Sequence, residues 1–359
     1  MERKKKILFI VEAMGGGVFT YVSDLANELV NTYDMFVAYG VRSQTPADFK
    51  KYFDERVHLI RVPNFKRSIS PIKDIIAYFE IRDIARRIEP DIIHLHSSKA
   101  GALGRFAFNG KKVPVFYTPH GYSFLMENHS VIKRFIYRAI EIVCGKRNCT
   151  TIACSNGEYQ ETLKLSKHAD YVNNGINILE FEKIINDIET NSKNDDELVV
   201  FTLGRISYQK NPAMFNEIAQ KMPQVKFVWV GDGELRNQLT SPNITITGWL
   251  DRRTALTVAN AAHIFVLTSL WEGLPISLLE AMYMKKLCIV SDVIGNRDVI
   301  RSGYNGYVCN IVDEYVQGIN NYASKGTEQL ISNAYQDILD DYNIDVMTKK
   351  YKKIYQSSI

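Results

Sequence analysis

Short, uninterrupted apolar runs, each closing in a polar or glycine-bearing turn and each followed by residues at helical spacing, constrain this chain most. KKKILFIV at 4–11, VPVFYT at 113–118, LVVFTL at 198–203, VKFVWV at 225–230, HIFVLTS at 263–269 and KLCIVSD at 286–292 are of this kind. A strand that is apolar on both sides belongs to a parallel sheet covered by helices on both faces. Repeated strand–helix alternation therefore gives an α/β, doubly wound fold, and ligands of such folds bind beyond the carboxyl ends of the strands. At 359 residues the chain is too long for one core. The polar stretch NDIETNSKNDDE at 186–197 reads as a linker. The expected division is an N-terminal domain at 1–182, a linker at 183–196, a second domain at 197–335 and a C-terminal helix at 336–359, part of a helical stretch running from about 326 to 356.

Composition narrows the class. With 46% hydrophobic and 23% charged residues the chain is an ordinary globular protein. No stretch reaches the length of a membrane span and the N-terminus lacks a cleavage signal, so a cytoplasmic location is expected. The five cysteines have no C-x-x-C spacing and read as buried free thiols. Charge divides unevenly: residues 1–180 hold 26 Lys+Arg against 19 Asp+Glu, and residues 181–359 hold 18 against 21. Only the first half is suited to an anionic partner, and no nucleic acid is expected.

The strand-end loops carry the candidate chemistry. The first apolar run enters Gly15-Gly16-Gly17 and then a helix from Val18, so Gly16 and Gly17 form a turn at a helix N-terminus suited to anions. Dinucleotide binding is disfavoured because Thr20 stands where the G-x-G-x-x-G pattern needs glycine. His94 and His96 alternate onto one face and read as a polar strand end lining the cleft rather than a zinc site, which would need a third ligand. His120, in Thr118-Pro119-His120-Gly121, ends the next strand. Residues 131–147 form a basic amphipathic helix with Lys133, Arg134, Arg138, Lys146 and Arg147, while Lys66, Arg67 and Lys73 lie nearby in the same domain. In the second domain, Gly204 and Arg205 end a strand and Lys210 follows, two cations at a sheet edge that call for an anion. Gly248, Trp249 and Leu250 end another strand, with Trp249 open to either a ligand or a core role. After HIFVLTS come Glu272, Gly273 and Leu274, then a helix starting near Pro275 that carries Glu280 in its second turn. The two carboxylates have Cα positions on the order of 10 Å apart, suited to two ends of one elongated ligand.

E-G-L-P-I-S-L-L-E-A-M at 272–282 resembles the E-x7-E signature of the retaining, family 4 type of glycosyltransferase, whose members build many bacterial surface polysaccharides. T-P-H-G at 118–121 and L-G-R-I-S-Y-Q-K-N-P at 203–212 resemble the same family's motifs. The resemblance implies the GT-B architecture of two Rossmann-like domains facing a cleft. It assigns Glu272 and His120 to the donor sugar, Glu280 to the ribose hydroxyls, Arg205 and Lys210 to the diphosphate, Gly248 and Leu250 to the base, Gly16 and Gly17 to the diphosphate and acceptor border, and Gly204, Gly273 and Leu274 to donor-binding loops. Two positions depart from the family: the signature lacks the second glycine of E-G-F-G-L-P, and Gly295-Asn296-Arg297-Asp298 stands where G-G-x-x-E is usual, which puts the role of Asp298 in doubt.

The expected activity is retaining transfer of a sugar from a nucleoside diphosphate sugar, a UDP-sugar favoured, to a glycan or undecaprenyl-type lipid-linked acceptor in surface or capsular polysaccharide synthesis. No metal and no further cofactor are expected, since no D-x-D motif sits in a suitable loop. A nucleotide-sugar 2-epimerase and a non-catalytic nucleotide-sugar-binding subunit are the alternatives. The basic first half is expected to dock on an anionic membrane, peripheral on the inner face of the cell membrane.

Overall fold

The structure is a computed structural model, and it describes residues 3–42, 45–66, 70–186, 197–324 and 326–359. The expected linker thus lies largely outside the described residues, as does Arg67 of the expected basic cluster. The chain forms two compact units, the first from residues 1–125, 129–174 and 344–359, the second from 126–128 and 175–343.

The first unit runs β1 (Lys6–Met14), α1 (Gly16–Leu29), β2 (Asp34–Val41), β3 (His58–Arg61), α2 (Pro71–Ile88), β4 (Ile92–His96), α3 (Ser98–Ala107), β5 (Val115–Thr118), α4 (Val131–Gly145), β6 (Thr150–Ala153), α5 (Asn156–Leu163) and β7 (Ala169–Tyr171). All seven strands are parallel, in the order β3-β2-β1-β4-β5-β6-β7. The apolar run of β1 is explained by its two faces. Ile7, Phe9 and Val11 enter a core with α1, while Leu8 and Ile10 enter a second core with α2 and α3. Successive side chains of a strand point to opposite faces, so a strand covered twice must be apolar throughout.

The second unit runs α6 (Ile178–Asn186), β8 (Val199–Leu203), α7 (Pro212–Lys221), β9 (Lys226–Val230), β10 (Ile244–Ile246), α8 (Arg252–Asn260), β11 (Ile264–Leu267), α9 (Ile276–Tyr283), β12 (Leu287–Ser291), α10 (Asn296–Val299), β13 (Tyr307–Cys309), α11 (Val312–Asn320) and α12 (Thr327–Asp340). Its six parallel strands take the order β10-β9-β8-β11-β12-β13. In each sheet the winding reverses once, between β1 and β4 and between β8 and β11. Those reversals open a crevice at the strands' carboxyl ends.

Two boundaries differ from the expectation. Residues 175–182 and α6 group with the second unit, where Ile176 N–H donates to the Tyr342 carbonyl at 3.0 Å and Tyr283 Oη donates to Glu182 at 2.9 Å. The expected single C-terminal helix is two: α12 stops and α13 (Ile344–Gln356) restarts in the first unit. The break has a local cause. Asn343 turns its amide back onto the Ile338 and Leu339 carbonyls at 3.3 and 2.8 Å, capping α12 where the chain turns away. α13 then buries Met347, Tyr351 and Tyr355, one turn apart, in the core that α1 also fills. All five cysteines are buried thiols.

Candidate functional site

The switch point of the second unit gathers the expected donor residues on loops after adjacent strands. β8 ends at Gly204, which holds φ 143°. The Gly204 carbonyl accepts from Trp229 Nε1 at 2.8 Å, and a Cβ on Gly231 would lie 2.2 Å from that oxygen. Two glycines in the left-handed region thus let the turns after β8 and β9 lie on each other. Arg205, at the start of this loop, donates through Nε to Glu234 Oε2 at 2.9 Å and stays partly exposed.

Lys210 closes a short 3₁₀ turn and is the hub of the loop. Its Nζ donates to Glu272 Oε1 at 2.7 Å, and its backbone carbonyl accepts from Thr268 Oγ1 at 2.7 Å. Gln209 reaches the same place, donating to the Trp271 carbonyl at 2.9 Å and to Glu272 Oε2 at 3.3 Å. The Lys210 and Glu272 side chains are only 16% and 8% exposed, so their charges interact with little screening by water. Gln209 was not singled out from the sequence, because an uncharged amide in a polar loop carries no signal of its own.

Glu280 sits in α9, 3% exposed. Its Oε1 accepts from Arg252 Nη1 at 2.7 Å. Sequence reasoning missed Arg252. A signal was present: Asp251 caps α8, accepting from Thr254 N–H at 3.0 Å, so Arg252 and Arg253 occupy the first turn of a helix, where its dipole disfavours cations. An arginine there implies a carboxylate partner.

Gly273 and Leu274 are buried between Glu272 and α9. Gly295, at φ 85°, presses on them: a Cβ there would stand 2.3 Å from the Gly273 carbonyl oxygen. Asp298 accepts from the Gly295 N–H at 3.0 Å and closes the N-terminus of α10, which gives this departure from the family pattern a capping contact. Gly248 holds φ 76° with Asp232 Oδ2 3.8 Å from where its Cβ would be. Trp249 is 61% exposed, which rules out the core role left open for it, and Leu250 is half-buried.

In the first unit, α1 starts on the glycines themselves, two residues earlier than expected. Gly15 is its N-cap, and Gly16 holds φ 57° with no atom within 4 Å of a would-be Cβ. A side chain is excluded here by backbone strain rather than by crowding. Glu12, 3% exposed at the end of β1, is bound bidentately by Arg42 from the end of β2, an ion pair that no local pattern announced.

His94 and His96 do not line a cleft as a polar strand end. Both are 0% exposed. His94 Nδ1 meets Tyr355 Oη at 2.6 Å and its Nε2 meets Thr118 Oγ1 at 2.9 Å, so His94 is a satisfied core histidine. The misreading has a physical source. The cover over this strand end is α13, more than two hundred residues downstream. His96 Nδ1 instead meets His120 Nε2 at 3.1 Å. His120 sits at φ 56°, strained for a non-glycine residue, with Tyr21 edge-on at 4.6 Å between ring centroids. Glu158 braces the loop, accepting from Gly121 N–H at 2.7 Å and Cys154 N–H at 2.8 Å.

Enclosure by neighbouring side chains pushes the His120 imidazole down to about 3. Burial first, and neighbouring imidazoles second, hold His94 and His96 well below the ordinary histidine range. The cluster is therefore neutral at working pH and offers hydrogen bonds rather than charge. Among the described residues, no group of three or more His, Cys, Asp or Glu side chains is placed to hold a metal ion.

Known proteins are similar to this chain in sequence and in fold. Residues 183–337 match the family model described as glycosyl transferases group 1, and residues 15–178 match that of glycosyltransferase family 4. A UDP-Gal:alpha-D-GlcNAc-diphosphoundecaprenol alpha-1,3-galactosyltransferase from Escherichia coli is 31% identical, with 85% of each chain covered. The chain belongs to the family 4-type glycosyltransferases. Another relative of this glycosyltransferase, 24% identical with 82% of this chain and 84% of the other covered, is the N,N'-diacetylbacillosaminyl-diphospho-undecaprenol alpha-1,3-N-acetylgalactosaminyltransferase of Campylobacter jejuni. Among solved structures, HepE of Anabaena in complex with UDP and glucose is similar at a TM-score of 0.78 and 17% identity, covering 98% of this chain and all of that one. Sucrose-phosphate synthase of Thermosynechococcus elongatus is similar at 0.81 and 15% identity, with 99% of each covered. The glycosyltransferase thus has the GT-B fold of two Rossmann-like domains.

Proposed function

We propose that this glycosyltransferase moves a sugar, with retention of anomeric configuration, from a nucleoside diphosphate sugar to an undecaprenyl-type lipid-linked glycan in bacterial surface or capsular polysaccharide synthesis. A UDP-sugar is the favoured donor. The acceptor class is supported by the activities for which the two relatives are named, and the donor class by the UDP-Gal of the first.

The observation that carries the reading is the convergence of Lys210 and Glu272 at 2.7 Å across the switch point of the second sheet. Breaking the anomeric bond leaves positive charge on the sugar and new negative charge on the departing diphosphate. Lys210 and Arg205 stabilise the diphosphate by preorganised charge, an effect that grows where water is sparse. Glu272 accepts hydroxyl hydrogen bonds from the sugar while Lys210 holds it in place. Glu280 accepts the ribose hydroxyls, with Gly248 and Leu250 beside the base. Gly204, Gly273 and Leu274 shape the donor loops, and Gly16 and Gly17 offer backbone N–H groups to anions. His120, neutral, bonds the donor sugar. The departing phosphate takes the acceptor's proton on the same face, and no metal is needed.

The test is incubation with UDP-, GDP- and ADP-sugars, with and without a diphosphoundecaprenol-linked sugar, followed by NMR of the product's anomeric centre. Donor consumed only with acceptor, and an α product from an α donor, is the expected result. Consumption without acceptor, or an inverted product, contradicts it.

A further inference from the structure

α4 is amphipathic the wrong way round for a protein surrounded by water. Its inward side holds Glu141, 5% exposed and paired with Arg105 of α3 at 2.7 Å. Its outward side presents Val131, Ile132, Phe135, Ile136, Ile140 and Val143, with exposures of 80, 73, 71, 50, 40 and 51%. A stripe of this length extends roughly 18 Å along the helix. α2 repeats the pattern in its first two turns. It buries Ala77, Ile81, Ile84 and Ile88 as a normal core stripe, yet leaves Ile72, Ile75, Ile76 and Phe79 between 42 and 74% exposed.

Both helices belong to one layer over the same sheet face. Asp74 of α2 pairs with Lys99 of α3 at 2.7 Å, and α3 in turn is pinned to α4 by the Arg105–Glu141 pair. α2 follows β3 and α4 follows β5, so both exposed segments start from the carboxyl edge of the sheet, the edge that carries His120. Scattered apolar residues on a surface need no explanation, but ten on two neighbouring helices of one layer mark a surface with an apolar partner.

The partner's charge is also written there. Lys73 stands among the exposed isoleucines of α2, and Lys133 and Arg138 flank Phe135 on α4, all exposed. No carboxylate of α4 reaches the surface to offset them, since Glu141 is buried. An apolar stripe edged by cations fits an anionic lipid bilayer, with side chains in the acyl boundary and cations among the headgroups.

We propose that the outward faces of α2 and α4 insert into the headgroup–acyl boundary of an anionic membrane, so that the glycosyltransferase is held by apolar burial as well as by charge. The choice of a lipid occupant rests on the lipid-linked acceptor proposed above. Apolar burial is not screened by salt, so binding weakens at high salt without vanishing. Among the described residues no helix is long and apolar enough to cross the membrane, which is consistent with a helix lying in its surface.

The test uses the full chain and flotation with vesicles of phosphatidylglycerol and phosphatidylethanolamine, or of phosphatidylcholine alone, at low and high salt. Wild type floats with the anionic vesicles and a fraction remains bound at high salt. Ile132→Glu with Phe135→Glu lowers partitioning by about tenfold or more per side chain. Lys133→Glu with Arg138→Glu lowers it on the order of fivefold per residue at low salt only. As these side chains are exposed, thermal melts of all variants match wild type. In Phe135→Trp, emission shifts to the blue with vesicles and is quenched by brominated acyl chains. Absence of flotation at low salt overturns the proposal. So does complete release by salt with the double glutamate variant floating like wild type, which leaves charge alone. A concentration-dependent dimer that the same variant dissolves, without vesicle binding, names a second copy as the occupant and also overturns it. Transfer to lipid-linked acceptor in detergent is measured in parallel. Loss of flotation with detergent activity intact refutes only docking, and flotation without transfer refutes only the enzymatic reading.

Discussion

Replacing Arg252 by Gln leaves the Glu280 carboxylate, 3% exposed, without its 2.7 Å cationic partner. Glutamine can donate one hydrogen bond but carries no charge and is shorter. Removing one member of a buried ion pair costs 3–5 kcal/mol, and a hydrogen bond to a charged group 1.5–3. The Arg252 side chain is 25% exposed, so water reaches its end of the pair and the lower range applies, about 2 kcal/mol. For a unit of this size that lowers Tm by roughly 4–8 °C. The same substitution frees the carboxylate to move, so UDP binding weakens as well. Differential scanning calorimetry and titration calorimetry with UDP are run on Arg252→Gln, Glu280→Gln and the double variant. The double variant regains most of the lost Tm, since no unpaired charge remains buried, but does not regain affinity for UDP, since the ribose ligand is gone. An Arg252→Gln protein as stable as wild type, or a double variant binding UDP normally, refutes the reasoning.

Glu272→Gln is expected to impair use of the sugar while sparing free UDP affinity, whereas Glu280→Gln weakens UDP itself; equal weakening in titration calorimetry contradicts this division. Gly295→Ala, which puts a Cβ 2.3 Å from the Gly273 carbonyl at φ 85°, shifts the Gly273–Leu274 loop and raises KM for the donor in steady-state assays. The three clustered histidines set a pH dependence. The folded-state value of His120 lies near 3, below the ordinary 6.5, so its contribution is present above 6.5 and is lost as pH falls from there toward 3, with His94 and His96 acting in the same direction. Thermal melts across that range show a falling Tm, less steeply in His120→Asn; a flat Tm contradicts neutral burial.

The strands were legible because a strand covered on both faces has no polar positions, as in β1 and β11. The helix α4 was legible from spacing, and Pro275 marked the start of α9. What a helix faces was not legible. The apolar and basic residues of α4 were read as a docking surface from their charge, but only the structure shows which side points outward. The C-terminal stretch read as one helix because Asp341-Tyr342-Asn343 contains no proline or glycine, yet Asn343 caps it there. His94 was misplaced since α13 covers it from the far end of the chain. Of the site residues, those on strand-end loops could be named, while Gln209 and Arg252 could not, since their partners lie about 63 and 28 positions away.

Turnover of the Lys210→Ala and Arg205→Ala variants tests the central claim most directly, with a saturating nucleotide sugar and the lipid-linked acceptor. If these cations stabilise the departing diphosphate, kcat falls by on the order of 10²–10³ in each variant, the effect of removing one transition-state stabiliser. Near-normal kcat in both variants contradicts it.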